Sequence, residues 1–435
     1  MRTVNEQETA EVGQGTGERV HWSEDGAERS ALWRSESGAR PPGKVTVADD
    51  RMTADAAYKL ACEGTALLWR GDYHGARQLL AALARRVDRK PPKQGATPSE
   101  SFHLYRQARS RRARVLGMLL VPLHAPGAPD APSAAGTPGA TGATSESARD
   151  EHRAYAVPLR RAPDVAQACE EAYGPPVAEL TLVPLRELQG VLGAHEWRRK
   201  GVPVEALGGD RVHPRHGVFS PVRGEYVELV ARAPLPPGEP GSLVAFDIGT
   251  GTGVLAAVLA RRGIGRVIAT DLGERALECA RENVRGLGVR ETVEVVRADL
   301  FPGPGAYTGR ADLAVCNPPW LPAKPTSVLE QAVYDPGSRM LRGFLDGLAA
   351  RLAPRGEGWL ILSDLAEHLG LRSRDELLSW IGNAGLRVTD RLDVRPGHPR
   401  AGDRSDPLHA ARAAETTSLW RLSSAPDPGP EPTVG

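Results

Sequence analysis

Residues 246–253 read FDIGTGTG, a stretch in which a short apolar run gives way to a loop with three glycines. Gly249, Gly251 and Gly253 allow backbone torsions that are closed to other residues, and they let a ligand approach the main chain closely. A helical pattern begins directly afterwards, at Val254. A glycine loop between a strand and a helix predicts a cofactor crevice at the carboxyl end of the first strand.

Short apolar runs continue beyond this loop and alternate with helical patterns. The runs are LVAFDIG, RVIATDL, VEVVRADL, ADLAVCN, GWLILSDL, LRVTDRLDV and TSLWRL. One intervening helix, residues 338–352, places its leucines and its phenylalanine on a single stripe. This alternation predicts a doubly wound, mainly parallel α/β sheet of the Rossmann-like type over residues 240–422.

The spacing of the glycine loop is G-x-G-x-G, whereas the dinucleotide fingerprint is G-x-G-x-x-G. A tight turn without a ligand is the alternative interpretation. Asp271 ends the second run, where a carboxylate accepts hydrogen bonds from ribose hydroxyls, and Asp299 ends the third, where it would meet an adenine amino group. The alternative role of both is to cap the following helix, which is the role predicted for Asp364.

The fourth run ends in NPPW, residues 317–320. Two prolines cannot donate to a strand ladder, and they bias Asn317 away from helix, so the backbone is stiff at this point. Because the carboxyl ends of parallel strands share one edge, the signature is predicted to lie beside the glycine loop. The alternative is that the prolines merely end the strand and that Trp320 fills core.

The order of these motifs resembles that of class I S-adenosylmethionine-dependent methyltransferases with an Asn/Asp-Pro-Pro-aromatic signature. The resemblance covers roughly residues 200–422 and implies a seven-stranded methyltransferase domain, S-adenosylmethionine as cofactor and no metal. It assigns cofactor binding to Asp247, Gly249, Thr250, Gly251, Gly253, Asp271, Asp299, Leu300 and Asn317, and catalysis to Asn317, Pro318, Pro319 and Trp320.

The signature suits methyl transfer to a planar nitrogen. The lone pair of such a nitrogen is delocalised into a π system, so the enzyme must orient the nitrogen before this lone pair can attack the methyl carbon. The Asn317 Oδ1 atom and the Pro318 carbonyl can accept the two N–H hydrogens of an amide or amino group, held by the rigid Pro-Pro backbone. Trp320 is predicted to stack on the planar group.

A finer resemblance, to the HemK/PrmC N5-glutamine methyltransferases of peptide release factors, lies upstream in RKGVPVEALGG and GVFSPVRGEYVELV. The matching residues are Arg198, Gly201, Pro203, Arg223 and Glu225, and the departures are Val222, Tyr226, Val227 and Trp320. The resemblance implies a protein glutamine acceptor, such as a translation factor. The alternatives are adenine N6 or guanine N2 of RNA or DNA, a nicotinamide-dependent oxidoreductase, and a non-catalytic cofactor-binding module.

Composition divides the rest of the chain. Residues 1–50 are predicted to be a disordered leader, and residues 52–239 a substrate-recognition region that is helical over 52–90. Residues 125–150 are a Pro/Ala/Gly/Ser-rich flexible insertion whose flanks are predicted to pair as strands, and residues 423–435 are predicted to be a disordered tail.

The 435 residues include 55 basic and 54 acidic ones, a formal net charge of +1, so no global field draws the chain to nucleic acid or membrane. Four scattered cysteines indicate a reducing compartment without structural zinc. No apolar run is long enough to span a bilayer, and no targeting core is evident. A cytoplasmic location is predicted, and the oligomeric state stays open.

Three further groups of side chains are candidates for substrate contact. A basic run, Arg106–Arg114, could hold RNA, although a solvated helix face is the favoured interpretation. The family resemblance makes Glu330, Tyr334 and Asp335, after the signature, candidates for the acceptor pocket, with helix capping as the alternative. The histidines and arginines of the third group, which are expected in loops, are His213, His216, His398, Arg400, Arg404, His409 and Arg412.

Overall fold

The computed structural model describes residues 17–124, 154–222, 224–239, 241–325, 328–397, 403, 404 and 406–425. By contacts, the chain divides into two units. Unit 1 is Met1–Lys90 with Arg111–Leu192, and unit 2 is Pro91–Ser110 with Gly193–Gly435. The second unit therefore begins well before the predicted boundary at residue 240, and it includes a segment from far upstream.

Unit 1 contains a six-stranded mixed sheet. Its strands are β1 (Arg19–Glu24), β2 (Ala27–Trp33), β3 (Lys44–Ala48), β4 (Thr65–Trp69), β5 (Leu119–Leu123) and β6 (Thr181–Pro184), in the spatial order β1-β2-β6-β5-β4-β3. The two edge strands, β1 and β3, contact each other, so the sheet curls towards a barrel. Beyond β4, Arg70 donates two hydrogen bonds, of 2.8 and 2.6 Å, to Glu24 at the end of β1.

Helices cover one face of this sheet. They are α1 (Ala54–Cys62), α2 (Tyr73–Asp88), α3 (Pro98–Leu116, with residues in both units), α4 (Ala166–Tyr173) and α5 (Leu185–Lys200, likewise). Leu83 of α2 packs in the core on the helical face, whereas Trp22 and Trp33 pack on the inner face of the curled sheet. The central strands β4, β5 and β6 therefore bury both of their faces.

Three predictions are wrong, two for this unit and one for the end of unit 2. Residues 19–48 form three strands, because Val20 and Trp22 alternate with polar residues and bury one face of β1. Residues 65–69, predicted as helix, form β4, whose unbroken apolar sequence reflects burial on both faces. Ser423 and Ser424, predicted to belong to a disordered tail, are instead paired in a strand of unit 2.

Pairing of the segments that flank the insertion is confirmed. Strand β5 runs antiparallel to β6, and His124 forms an isolated bridge with Ala156. The insertion itself, residues 125–150, lies outside the described residues, as do residues 1–16 and 426–435.

Unit 2 contains the predicted α/β sheet and a small hairpin, β7 (Val202–Pro203) with β8 (Arg211–Val212). The seven strands of the sheet are β9 (Val244–Ile248), β10 (Arg266–Asp271), β11 (Val293–Arg297), β12 (Ala311–Cys316), β13 (Leu352–Ser363), β14 (Leu386–Val394) and β15 (Thr417–Ser424). Their order is β11-β10-β9-β12-β13-β15-β14, and only β15 is antiparallel to its neighbours. The predicted Rossmann-like, mainly parallel sheet is confirmed.

The helices of unit 2 form two layers. In chain order they are α6 (Glu225–Arg232), α7 (Val254–Arg261), α8 (Glu274–Gly286), α9 (Val328–Gln331), α10 (Arg339–Arg351), α11 (Leu365–His368), α12 (Arg374–Asn383) and α13 (His409–Ala414). Helices α6 and α7 pack against one face of the sheet, and α10 and α12 pack against the other. Because α6 belongs to this core, the unit starts upstream of the first strand. Within the described residues, no helix is both long and apolar enough to cross a bilayer.

Candidate cofactor and acceptor site

Parallel pairing of β9 and β12 brings the two sequence motifs to one edge of the sheet. Cys316 pairs with Ile248, so Asn317 and Gly249 leave the sheet at the same level. Asp271 ends β10 on the other side of β9. The predicted edge, with the glycine loop flanked by an acid and the NPPW signature, is therefore present.

The glycine loop has the left-handed torsions that its three glycines predict. Gly249, Gly251 and Gly253 have φ values of 71°, 54° and 80°, in the left-handed region that favours glycine. The Thr250 amide donates to the Thr270 carbonyl at 2.8 Å, which ties the loop to β10. A side chain added at Gly251 would meet no atom within 4 Å, so the loop borders open space at this residue.

Asp247 lies beneath the loop and is buried. Its Oδ2 atom accepts the Thr250 hydroxyl at 2.7 Å and the Ala256 amide at 3.0 Å. Burial raises the pKa of Asp247 to about 6, in spite of these two hydrogen bonds. The described contacts of Asp247 hold the loop to the first turn of α7, rather than pointing a carboxylate at a ligand.

Asp271 faces the loop from the end of β10. Its Oδ2 atom accepts the Gly251 amide at 3.1 Å, and its Oδ1 atom accepts the Gly273 amide at 2.9 Å. Burial raises the pKa of this carboxyl group too. Leu272, the next residue, keeps 49% of its surface exposed and offers an apolar contact beside the carboxylate.

Asp299 is exposed and pairs with Arg339, whose Nη2 atom lies 2.9 Å from Oδ2. The alternative role of Asp299, as a helix cap, is wrong because the next regular element is the strand β12. Leu300 adopts a φ of 67°, and its carbonyl accepts the Thr270 hydroxyl at 2.6 Å. The segment after β11 is therefore fixed against β10 near the glycine loop.

Asp364 is the N-cap residue of α11, as predicted, but its side chain makes no capping bond to that helix. Its Oδ1 atom accepts the Thr416 amide at 2.7 Å, which joins the ends of β13 and β15. The Nε2 atom of His368 lies 3.4 Å from Oδ2. The carboxylate thus serves a tertiary contact.

The NPPW signature contains a hydrogen bond that the sequence did not predict. The indole Nε1 of Trp320 donates to Asn317 Oδ1 at 3.0 Å. The half-buried ring packs against the core clusters on both faces of the sheet, and Pro318 is buried. Trp320 therefore closes the edge of the sheet. It also fixes the orientation of the Asn317 carboxamide, because the indole N–H is a donor and can bond only to the carboxamide oxygen.

Asp335 and Met340 close the side of the site beyond the signature. Asp335 accepts the Met340 and Leu341 amides at 2.9 and 3.2 Å, which confirms its alternative role as a helix cap. A Cβ at residue 249 would meet the Met340 methyl group, which is the flexible end of that side chain, so the left-handed torsion rather than lack of space favours glycine there. Sequence reasoning missed Met340, since it belongs to an ordinary apolar helix pattern.

Arg106 is a structural residue rather than a free cation. Its guanidinium lies 3.9 Å from the centre of the Tyr334 ring, and Nη1 lies 3.2 Å from Glu330. It also donates to the Lys324 carbonyl. The residues predicted to shape an acceptor pocket are therefore braced by the N-terminal part of α3, which no local sequence pattern indicates.

Asn283 of α8 is a second residue that sequence reasoning missed. Its Nδ2 atom donates to the Thr252 carbonyl at 3.0 Å, and its Oδ1 atom accepts the His213 amide at 2.8 Å. The His213 ring contacts the Arg198 carbonyl at 2.6 Å, as expected for a polar turn. Asn283 thus joins the glycine loop to the segment before α6.

The remaining loop candidates that the structure describes make separate contacts. The nearest atoms of Arg412 and Asp406 are 2.8 Å apart, Arg404 is exposed, and His409 begins α13. His398 and Arg400 lie outside the described residues. Among the residues that the structure describes, no group of three or more His, Cys, Asp or Glu side chains is placed to hold a metal ion.

Asp247 predicts a pH dependence of stability. A pKa near 6 in the folded protein, against about 3.9 unfolded, means that the folded state holds the proton more tightly between these values. The raised pKa of Asp247 therefore adds to the free energy of unfolding below pH 4, and this stabilisation is lost as the pH rises through 6. Relative to Asp247→Asn, the wild type should lose about 2 kcal/mol of unfolding free energy between pH 4 and 7.

Denaturant unfolding of both proteins across this range measures the difference. The exposed Asp346 of α10 supplies the control, because Asp346→Asn should follow the wild-type profile. Parallel profiles for wild type and Asp247→Asn would show that the buried carboxyl group has no raised pKa.

Comparison with known proteins agrees with this site. A family model described as "Methyltransferase small domain" matches residues 212–363. The release factor glutamine methyltransferase of Chlorobaculum tepidum is 31% identical over 169 residues, which are 35% of this chain and 57% of that protein. That of Mycolicibacterium smegmatis is 39% identical over 112 residues, 25% of this chain and 38% of that protein.

A second group of relatives matches a shorter stretch. The ribosomal protein L11 methyltransferase of Pelotomaculum thermopropionicum is 45% identical over 78 residues, 18% of this chain and 24% of that protein. The chain thus spans less than two thirds of the length of each of these relatives. With the strand order and the glycine loop, these matches show that the chain contains a class I S-adenosylmethionine-dependent methyltransferase domain that resembles the release factor glutamine methyltransferases.

Proposed function

We propose that this chain is an S-adenosylmethionine-dependent N-methyltransferase whose acceptor is a planar nitrogen, the side-chain amide of a protein glutamine. The pairing of Cys316 with Ile248 carries the proposal, because it sets Asn317 level with the glycine loop. An acceptor held at Asn317 would lie beside a cofactor held at the loop. A turn without a ligand would not require this proximity.

The residues at the glycine loop fit S-adenosylmethionine. The open space at Gly251 admits a ligand against the main chain, and the Asp271 carboxylate faces it with lone pairs for ribose hydroxyls. Leu272 offers an apolar surface, and Asp299 lies on the same rim as a partner for an amino group. When bound, the cofactor supplies an electrophilic methyl group on a positively charged sulfur.

At the acceptor side, Asn317 and Pro318 orient a nitrogen. A carboxamide oxygen has two lone pairs, and the Trp320 indole uses one of those on Asn317 Oδ1. The second lone pair and the Pro318 carbonyl can accept the two N–H hydrogens of an amide, which turns its nitrogen to a fixed direction. Positioning rather than strong base catalysis supplies the rate, since the acceptors are held rigidly before substrate binds.

The relatives support a protein acceptor. Those matching over the longer stretch are named for glutamine methylation of release factors, and those matching over the shorter stretch for methylation of a ribosomal protein. We extend to this chain what the two names share, a protein of the translation machinery, and take the glutamine side chain as acceptor from the first group of names alone. Such a partner places the chain in the cytoplasm.

Asn317→Ala removes one of the two oxygens that hold the acceptor nitrogen. We expect methyl transfer to fall at least a hundredfold, because an unpositioned amide loses most of its effective concentration. Affinity for S-adenosylmethionine, measured by calorimetry, should stay within a few fold. The assay follows tritiated methyl transfer from the cofactor to a purified bacterial release factor.

The exposed Asn383 of α12 supplies a matched control. Asn383→Ala also removes a carboxamide side chain, but at a residue outside the NPPW signature, so methyl transfer should not change. Equal transfer by wild type and Asn317→Ala would refute the acceptor geometry. No transfer by the wild type would refute the release factor as acceptor.

Trp320→Phe separates positioning from stacking. The variant keeps an aromatic ring but removes the N–H that fixes Asn317, so we expect kcat to fall about tenfold with KM for the acceptor nearly unchanged. If the ring only stacked on the acceptor, Trp320→Phe would leave kcat unchanged. In that case Trp320→Leu, which removes the aromatic ring, would raise KM for the acceptor. Trp22→Phe removes a comparable indole bond, of 2.9 Å to Glu24, in unit 1 and should leave both constants unchanged.

A further inference from the structure

Charge is distributed unevenly along the chain. Residues 77–114 contain eleven basic and two acidic side chains, a net charge of +9 in a chain whose formal net charge is +1. The other residues therefore sum to −8. A segment with this excess produces a positive local field that the near-neutral total conceals.

Within unit 1, five of these cations lie on two neighbouring helix ends. We call them the basic surface: Arg85 and Arg89 on and after the last turn of α2, Lys90 beside them, and Arg111 and Arg114 near the end of α3. All five side chains are exposed. Spacings of four residues on α2 and three on α3 place each arginine pair on one stripe of its helix.

Two ion pairs hold these helix ends together. Arg112 Nε lies 2.9 Å from Asp88 Oδ1, which joins α3 to the end of α2. Arg86 Nε lies 2.7 Å from Asp55, which joins α2 to α1. The acids next to the basic surface are thus already engaged by Arg86 and Arg112.

The cations of the basic surface have no such partners. In the described part of the chain, no carboxylate lies within ion-pair distance of any of the five. Like charges at these helical spacings repel by a few tenths of a kcal/mol, so the pattern lowers helix stability. The helix dipole favours a cation in the last turn of a helix. This accounts for one arginine on each helix but not for five cations on two neighbouring helix ends.

The basic surface lacks the apolar component that a membrane-binding helix needs. Leu79, Leu80 and Leu83 of α2 are buried in the core of unit 1, and the large apolar side chains that are exposed in the described residues all lie outside residues 77–114. A dense polyanion with regularly spaced phosphates matches the observed cations better.

We propose that the basic surface of unit 1 binds RNA through its phosphate backbone. RNA is the polyanion of the translation machinery, from which the acceptor proposed above is drawn, and the choice of RNA over DNA rests on that proposed function. The contact is electrostatic and independent of base sequence. It would hold the chain near an acceptor that is itself bound to RNA.

The test measures binding of the full chain to a fluorescently labelled single-stranded RNA of about 20 nucleotides across a series of salt concentrations. The variant combines Arg89→Gln, Arg111→Gln and Arg114→Gln. It should bind at least tenfold more weakly near 0.1 M salt. Its slope of log affinity against log salt should be shallower by about 2, since each lost phosphate contact removes about 0.7.

The control triple, Arg40→Gln, Arg285→Gln and Arg387→Gln, removes three exposed arginines elsewhere and should bind like the wild type. Equal weakening by both triples, or undetectable binding by the wild type, would overturn the proposal. Tighter binding to DNA of the same length, or to phosphatidylglycerol vesicles, would also overturn it.

Removal of repelling charges should leave the thermal midpoint unchanged or slightly higher. If the triple variant melts early, the pair Arg85→Gln and Lys90→Gln tests the same surface. Failure of RNA binding while methyl transfer to release factor persists would reject the basic surface alone. The reverse result would reject the glutamine acceptor alone.

Discussion

The parallel pairing of β12 with β9 is the constraint on which the site depends. One register, with Cys316 opposite Ile248, determines that the residue after each strand emerges at the same level. A shift of one residue would turn Asn317 to the opposite face and separate it from the glycine loop. Burial of both faces of these strands, in two separate core clusters, holds this register.

Two side chains hold the motifs in place through their own hydrogen bonds. The buried carboxyl group of Asp247 accepts hydrogen bonds from Thr250 and Ala256, and it thereby fixes the glycine loop to α7. Trp320 fixes Asn317 while its ring closes the edge between the two layers of the core. Both belong to the motif series, yet their described contacts assign them to preorganisation of the site.

Much of the α/β unit was predictable, because its central strands β9, β10, β12 and β13 contain apolar runs that are buried on both faces. Strands β1 and β4 were not, since a short alternating strand resembles loop sequence and an apolar strand buried on both faces resembles helix. The contacts of Arg106 and Asn283 with distant segments depend on tertiary packing alone. No local pattern encodes them.

The identity of the methylated group decides the central claim. Tritiated S-adenosylmethionine and the purified chain would be added to a bacterial lysate, and the labelled product divided between protease and nuclease digestion. A planar amide acceptor on protein predicts label that protease releases, that nuclease leaves in place, and that is absent with Asn317→Ala. Label that nuclease alone releases would contradict a protein glutamine acceptor, and label that persists with Asn317→Ala would contradict the geometry.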